Sequence, residues 1–207
     1  MKKVSIILCF TFLLIFLSSC LNTLHPIFTE KDLAYDPKLI GTWNTEKQGT
    51  KGRVIISNLA TENSVELPGN ISTIKQKGYL ITYQDEQGDT KQNIAFLARI
   101  GKHLYFDYYP ADKKEDRRLD EFFGIHFVRM HSSYRVEILK DGSFELSQLD
   151  GSYVKSLIDQ KKIAISYETD AEDDITITAS TKELQQYLLK YGDESSAYES
   201  AKTTFKK

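Results

Sequence analysis

An almost unbroken apolar run opens the chain. It extends from Val4 to Leu17 and follows two positive residues, Lys2 and Lys3. Such a run behind a positive start is typical of a secretory signal peptide, and it falls short of the roughly 20 apolar residues that a membrane-spanning helix needs. We therefore predict that residues 1–19 are a signal peptide that the mature protein lacks.

The middle of the chain alternates between apolar and polar residues with the period of two that indicates β-strands. Tyr79, Ile81 and Tyr83 share one face of a predicted strand, and the run from His103 to Tyr109 is the most aromatic strand of the sequence. Shorter strand candidates cover residues 53–57, 64–67, 71–74, 133–140 and 144–147. Lys140-Asp141-Gly142-Ser143 joins the last two as a hairpin, because Asp-Gly tolerates the positive φ angles of a type I′ turn.

Two segments in the last third of the chain have helical periodicity. Asp150 can cap the first of them, in which apolar residues recur at helical spacing. Ser180 and Glu183 form a capping box at the start of the second predicted helix, Thr181–Tyr191. The whole pattern predicts a mainly β protein, with an antiparallel sheet that is either closed into a barrel or strongly curved, and with two late helices.

The tripeptide Gly41-Thr42-Trp43 opens the first strand of the body and contains the only Trp of the chain. It resembles the first-strand motif of lipocalins and other calycin barrels. In that family the Gly lets the chain turn into the strand and the Trp plugs one end of the barrel, so the resemblance implies that Gly41 and Trp43 are structural. Calycins often stack an Arg from a late strand over this Trp, and here no Arg follows Arg135. The resemblance implies a calycin-like or lipocalin-like barrel.

A second resemblance concerns the segments before this motif. His25-Pro26-Ile27-Phe28-Thr29 and Asp36-Pro37-Lys38-Leu39-Ile40, followed by Gly41-Thr42-Trp43, are similar to the opening of a group of uncharacterised bacterial lipoproteins. Leu17-Ser18-Ser19-Cys20 resembles a bacterial lipobox. This resemblance implies that the Cys20 thiol is acylated, that the chain is cut before Cys20 and that the new amino group is acylated as well. Several acyl chains of the palmitate type, at about 0.8 kcal/mol per buried methylene, would hold the protein firmly on a membrane.

The predicted location is therefore the bacterial cell envelope, with the membrane as a partner through Cys20. Residue Leu21 stands where enteric bacteria use Asp to retain lipoproteins in the inner membrane. By resemblance to that sorting rule, we expect the outer membrane, with the body facing either the periplasm or the outside.

The chain divides into four predicted parts: a signal peptide over 1–19, a lipidated tether over 20–36, a single β-rich domain over 37–192 and a polar tail over 193–207. We expect the tail to be poorly ordered or weakly helical. The two Cys residues are Cys9, inside the signal peptide, and Cys20, so no disulfide can form within the folded body. The body must rely on its core, which the 12 Tyr and 11 Phe residues of the chain supply.

Charge and motifs exclude several functions. The formal net charge is −2 at pH 7, and this mildly acidic balance argues against a nucleic-acid partner. The sequence has no Gly-x-Ser-x-Gly elbow, no phosphate-binding loop and no cluster of metal ligands, and its four His residues are scattered. We therefore predict a protein that is not an enzyme and that holds neither a metal nor a cofactor.

Two functions fit these constraints. The first is a binding module for a small apolar or amphipathic ligand, whose site we expect to be lined by aromatic residues, because tyrosines combine apolar area with a polar group. These residues are Tyr83, Tyr105, Phe106, Tyr108 and Tyr109. Along the aromatic strand, Leu104, Phe106 and Tyr108 should face one way and Tyr105, Asp107 and Tyr109 the other. The alternative is an envelope assembly or interaction protein that has no ligand pocket.

Overall fold

The computed structural model describes residues 21–63, 65–66, 69–84, 90–113, 128–171 and 173–207. The predicted signal peptide over 1–19 and Cys20 lie outside the described residues. The strands of the described part are β1 Asn22–Thr23, β2 Gly41–Lys47, β3 Thr50–Asn58, β4 Val65–Glu66, β5 Gly78–Gln84, β6 Thr90–Ile100, β7 His103–Pro110, β8 Asp112–Lys113, β9 His131–Ile138, β10 Phe144–Gln148, β11 Tyr167–Thr169, β12 Ile175–Ile177 and β13 Thr203–Lys206. Its α-helices are α1 Gly69–Ser72, α2 Gly151–Asp159 and α3 Thr181–Tyr191.

Eight strands form a closed antiparallel barrel in the order β2-β3-β5-β6-β7-β9-β10-β13, and β13 pairs back with β2. The predicted mainly β fold with a barrel and two late helices is confirmed, and the barrel is consistent with a calycin-like fold. A smaller extension leaves the barrel at β9, whose first residues pair with β1. From there β1 runs parallel to β12, which pairs with β11.

The last residues of the chain close the barrel, so the prediction of a poorly ordered tail over 193–207 is wrong. Phe205 lies opposite Thr45 of β2 and opposite Phe144 of β10. Its side chain is 1% exposed and stacks on the Phe144 ring, with 4.3 Å between the ring centres. A four-residue strand carries too little periodicity to be recognised, and what stabilises it is pairing with distant strands.

The segment predicted as a tether over 20–36 is also folded in its described part. Leu21 is 3% exposed, and its amide N–H donates to the carbonyl oxygen of Leu149 at 3.4 Å. Strand β1 follows at once, and Ile27 and Phe28 are buried further along. The segment looks like a linker in sequence because its partners, such as Asp107 for Ile27 and Leu149 for Leu21, lie far along the chain, and no local pattern indicates them.

Apolar side chains from all eight strands meet inside the barrel. We call residues 21–40, which precede β2, the lead-in. The buried members of this interior core are Trp43, Val54, Ile56, Tyr79, Ile81, Ala95, Leu97, Phe106, Tyr108, Val136, Phe144, Leu146 and Phe205, together with Leu39 from the lead-in. Burial of each large side chain contributes about 1.5–3 kcal/mol to the free energy of unfolding. The interior core therefore accounts for much of the stability of the barrel.

Two further apolar layers cover the outside of the barrel. One joins α2 and α3 to the barrel through residues such as Ile100 and Tyr105. The other joins α1 and the lead-in to the outer faces of β5 and β6, through Phe28, Ile71 and Phe96. Strands β6 and β7 are therefore covered on both faces.

Local signals predicted the two long helices well. The Asp150 carboxylate accepts hydrogen bonds from the amides of Ser152 and Tyr153 at the start of α2, and Ser180 and Glu183 form the expected capping box of α3. The predicted strand over 71–74 is wrong, since Gly69–Ser72 forms the single turn α1.

The hairpin between β9 and β10 has a different turn from the one expected. Gly142 has a φ of +83°, but the φ of Asp141 is not positive. The Asp141 carboxylate instead accepts hydrogen bonds from the amide and the hydroxyl of Ser143. A type I′ turn needs positive φ at both central residues. The hairpin is therefore confirmed, and its predicted type I′ turn is wrong.

Candidate functional site

The five aromatic residues proposed to line one site are divided between two faces of the barrel wall. Phe106 and Tyr108 belong to the interior core, and Tyr83 packs against it. Tyr105 and Tyr109 project from the opposite face of β7 and join the two outer layers. The alternation along β7 is as predicted, and for that reason the five residues do not form a single site.

The interior members pack against one another and against other rings. The centre of the Phe106 ring lies 5.5 Å from that of Tyr79, and the Tyr108 ring lies 5.0 Å from that of Tyr134. The hydroxyl groups of Tyr83 and Tyr108 are hydrogen-bonded, and burial, together with the neighbouring Tyr83, raises the pKa of Tyr108 well above its usual value. These side chains therefore act as core residues in the interior of the barrel.

Trp43 lies in the interior core at the start of β2. Its indole Nε1–H donates to the carbonyl oxygen of Leu39 at 2.8 Å, and its ring meets Phe144 edge to face at 4.8 Å. The amino group of Lys207 stands over the ring, 4.9 Å from its centre. Gly41, two residues earlier, has a φ of +140°, a conformation that favours glycine. Both residues therefore occupy structural positions.

Tyr105 attaches the barrel to the C-terminal segment. It is 0% exposed, and its hydroxyl lies 3.1 Å from the hydroxyl of Tyr198. The guanidinium carbon of Arg135 stands 4.4 Å from the centre of the Tyr198 ring. Burial and the neighbouring Tyr198 raise the pKa of Tyr105 far above its usual value. The side chain is thus inaccessible to a ligand.

Tyr109 borders a cleft on the outside of the barrel, with a volume of about 260 Å³. The lead-in forms one wall, the α1 region a second, and strands β6, β7 and the start of β9 the floor. The lining residues are Pro26, Phe28, Thr29, Glu30, Ile71, Thr73, Ile74, Phe96, Tyr109 and His131. Polar and apolar atoms contribute about equally to the lining, and the Phe28 and Phe96 rings lie 5.2 Å apart. Of the five aromatic residues, Tyr109 alone borders this cleft.

A buried Asp–His pair lies at the floor of the cleft. Nδ1 of His131 is 2.5 Å from Oδ1 of Asp107, which is 1% exposed. The other carboxylate oxygen of Asp107 accepts the amide N–H of Ile27 at 2.9 Å and faces the hydroxyl of Ser133 at 3.5 Å. The His131 ring also packs on Tyr109, with 5.0 Å between their centres. Asp107 thus fixes both the orientation of His131 and the path of the lead-in.

No local pattern in the sequence predicts this pair. The available signal was Asp107 itself, a charged residue in the middle of an aromatic strand and on the same face as Tyr109. A buried carboxylate needs hydrogen-bond donors. Its partners come from the lead-in and from β9, and only the barrel register brings them together.

Two further observations apply to the described residues. They contain no group of three or more His, Cys, Asp or Glu residues that could hold a metal ion. Among the helices described, none has both the length and the apolar character needed to cross a bilayer.

Comparison with models of protein families, with curated proteins and with solved structures found no significant match. The class of the protein therefore rests on its own architecture, a closed eight-stranded antiparallel barrel whose first strand begins with Gly41-Thr42-Trp43.

Proposed function

We propose that the protein is a lipid-anchored lipoprotein of the bacterial cell envelope whose body binds a small apolar or amphipathic ligand without catalysis. The ligand site of this proposal is the cleft beside Tyr109, and not the barrel interior. The observation that carries it is the combination of an interior core of packed side chains with an open cleft of about 260 Å³ on the outside, whose lining is both apolar and polar.

The size of the cleft limits the ligand. Pockets for drug-sized molecules span about 300–1,000 Å³, so this cleft suits a small molecule or one end of a longer one. Phe28, Phe96 and Ile71 would cover the apolar part of such a ligand. The polar residues of the lining, among them Glu30 and His131, would contact its polar part.

The anchor of this proposal is Cys20, and the outer membrane is its proposed location because Leu21 replaces Asp. Consecutive Cα atoms are 3.8 Å apart, and Leu21 is buried, so an acylated Cys20 would hold the body close to the membrane surface. Pro26, which lines the cleft, follows Cys20 by six positions. A ligand that partitions into the membrane would therefore be available next to the cleft.

Native mass spectrometry of the protein extracted from its own host tests the proposal. Ile74→Trp places a large ring in the cleft, and Ile55→Trp adds the same ring at an exposed position of β3. We expect a bound small molecule on the wild type and on the Ile55→Trp protein, and its loss from the Ile74→Trp protein. Equal ligand occupancy in all three proteins would refute the cleft as the site.

An envelope interaction protein without a ligand pocket is the second candidate. The interior core favours it, because described side chains from all eight strands pack there, whereas a calycin-like barrel that stores a ligand inside needs free volume. Crosslinking in intact cells should then recover one reproducible partner protein from both the wild type and the Ile74→Trp protein. Repeated failure to recover a partner would count against this candidate.

A further inference from the structure

We infer that the ligand of the cleft is an uncharged amphiphile with a hydroxyl head group, which binds at Nε2 of His131. This inference rests on the proposed function, since it takes the cleft as the binding site. It adds the chemical class of the ligand and the atom that recognises it.

The first step is the orientation of His131. Its Nδ1 is engaged by the Asp107 carboxylate, and Asp107 is in turn held by the Ile27 amide. Among the described residues, Nε2 has no hydrogen-bond partner, and it is not fully buried. Since His131 lines the cleft, Nε2 is a polar atom that the protein positions firmly and leaves open to a ligand.

The second step concerns charge. Among the described residues, the ten that line the cleft include Glu30 and no Lys or Arg, and the Asp107 carboxylate lies directly behind His131. An anionic head group would therefore meet two carboxylates and one imidazole. Like charges at close range are unfavourable, most of all where water is partly excluded. Carboxylates and phosphates fit this site poorly.

The third step is hydrogen-bond complementarity. With Nδ1 donating to Asp107, Nε2 accepts a hydrogen bond when the imidazole is neutral and donates one when it is protonated. A hydroxyl group can do the opposite in each case, so it pairs with His131 in both states. An ammonium group pairs only with the neutral ring and a carboxylate only with the charged one. The hydroxyl is the head group that fits the site without depending on the state of the ring.

The experiment compares three probes of equal chain length, 1-hexanol, hexanoate and hexylammonium, with the whole processed protein in lipid nanodiscs. The readout is the nuclear magnetic resonance of the labelled histidine rings, with empty nanodiscs as the control for partitioning. We expect 1-hexanol to shift the His131 signal saturably, with an apparent Kd at least tenfold lower than those of the charged probes. The ring of His103 should not shift, because it pairs with Asp193 on the exposed surface, 2.7 Å away.

The test variant is His131→Asn. The Asn amide nitrogen can take the place of Nδ1 and still donate to Asp107, while Nε2 is removed. The reporter for both proteins in this comparison is the labelled methyl groups of Ile71 and Ile74, which line the cleft. We expect the variant to keep its circular dichroism spectrum, to lose the preference for 1-hexanol by at least tenfold, and to bind hexane as the wild type does. The wild-type titration stands by itself if the variant does not fold.

The outcomes separate the inference from the proposed function. Tightest binding of hexanoate or hexylammonium, or equal binding of all three probes in the cleft, would overturn the hydroxyl assignment and leave the cleft as a binding site. If no probe binds and Ile74→Trp also leaves the co-purified ligand unchanged, both the inference and the proposed function fail.

Discussion

The amino group of Lys207 lies 4.9 Å from the centre of the Trp43 ring, so the last residue of the chain covers the Trp of the first barrel strand. Calycins often place an Arg at this position, and the sequence has no Arg after Arg135. A Lys supplies the cation here. The carbonyl oxygen of Lys38 lies 3.5 Å from the same amino group and connects it to the lead-in.

Replacement of Lys207 by Gln should lower the free energy of unfolding by about 0.5–1 kcal/mol, the usual size of an exposed cation–π contact. Urea unfolding followed by Trp fluorescence measures this directly, since Trp43 is the only Trp. Lys206→Gln is the matched control, because the cation above Trp43 is that of Lys207. Equal midpoints for the two variants would show that the contact contributes nothing.

Phe205→Ala should cost about 3–5 kcal/mol, because it removes a fully buried ring from the strand that closes the barrel. Thr204→Ala on the same strand should cost less than 1 kcal/mol, since Thr204 is only partly buried. Urea midpoints and m-values of the two variants provide the comparison. If the tail were disordered, neither substitution would change the stability. An unchanged stability of the Phe205→Ala protein would therefore rule out the closed barrel.

Leu21→Ala should cost about 2–5 kcal/mol, because Leu21 is 3% exposed and its side chain belongs to the outer layer around α2 and α3. Leu24→Ala is the control within the same segment, since Leu24 is 36% exposed. Thermal unfolding of both variants tests whether the lead-in is part of the folded body. If the Leu21→Ala and Leu24→Ala proteins had the same melting temperature, the segment would be a flexible tether, as the sequence predicts.

Cys20→Ser should abolish incorporation of labelled palmitate, because the proposed acylation needs the Cys20 thiol. After ultracentrifugation, the cleaved protein should then stay in the supernatant and no longer pellet with the membranes. Cys9→Ser removes the other Cys, inside the predicted signal peptide, and should leave labelling unchanged. Continued labelling of the Cys20→Ser protein, or its retention on membranes after cleavage, would refute the anchor.

Asp32→Asn should lower the free energy of unfolding at neutral pH and have little effect on it in acid. Partial burial of Asp32 opposes ionisation, but hydrogen bonds from Thr29 and Gln185 outweigh it and hold the pKa of the carboxyl group below its usual value. A carboxyl group with a lowered folded-state pKa contributes stability above its unfolded pKa of about 3.9, and this contribution is lost as the pH falls through the folded value.

Urea unfolding at pH 7 and at pH 2.5 measures this dependence. At pH 7 we expect a deficit of about 1 kcal/mol for Asp32→Asn, since neutral hydrogen bonds replace charged ones. The deficit should shrink toward zero at pH 2.5. Glu30→Gln is an exposed neighbour that serves as the control and should show no such dependence. A deficit of the same size at both pH values would contradict the role given to the Asp32 carboxylate.

Much of the local structure could be predicted because it depends on neighbouring residues. The capping box of Ser180 and Glu183 is complete within four positions, and so is the contact of Asp150 with the first amides of α2. Alternation along β7 was also readable, since strand geometry alone places Tyr105 and Phe106 on opposite faces. These features would be the same in any fold that kept the segments intact.

The sequence could not assign the faces of β7 to their environments. Both faces carry apolar residues and both are buried, so composition does not distinguish the interior core from an outer layer. The same ambiguity placed Tyr105 and Tyr109 in one site with Phe106. The segment over 71–74 was mistaken for a strand because Ile71 and Ile74 fit either pattern over so short a length.

The sequence by itself determined a mainly β protein with a Gly41-Thr42-Trp43 entry and two capped helices, because each of these depends on residues close together in the chain. Only the tertiary structure decided that Phe205 closes the barrel, that Leu21 is part of the body and that Asp107 meets His131 beside a cleft. Each of these contacts joins residues that are far apart in sequence, and strand register brings them together. Register depends on the packing of the whole barrel.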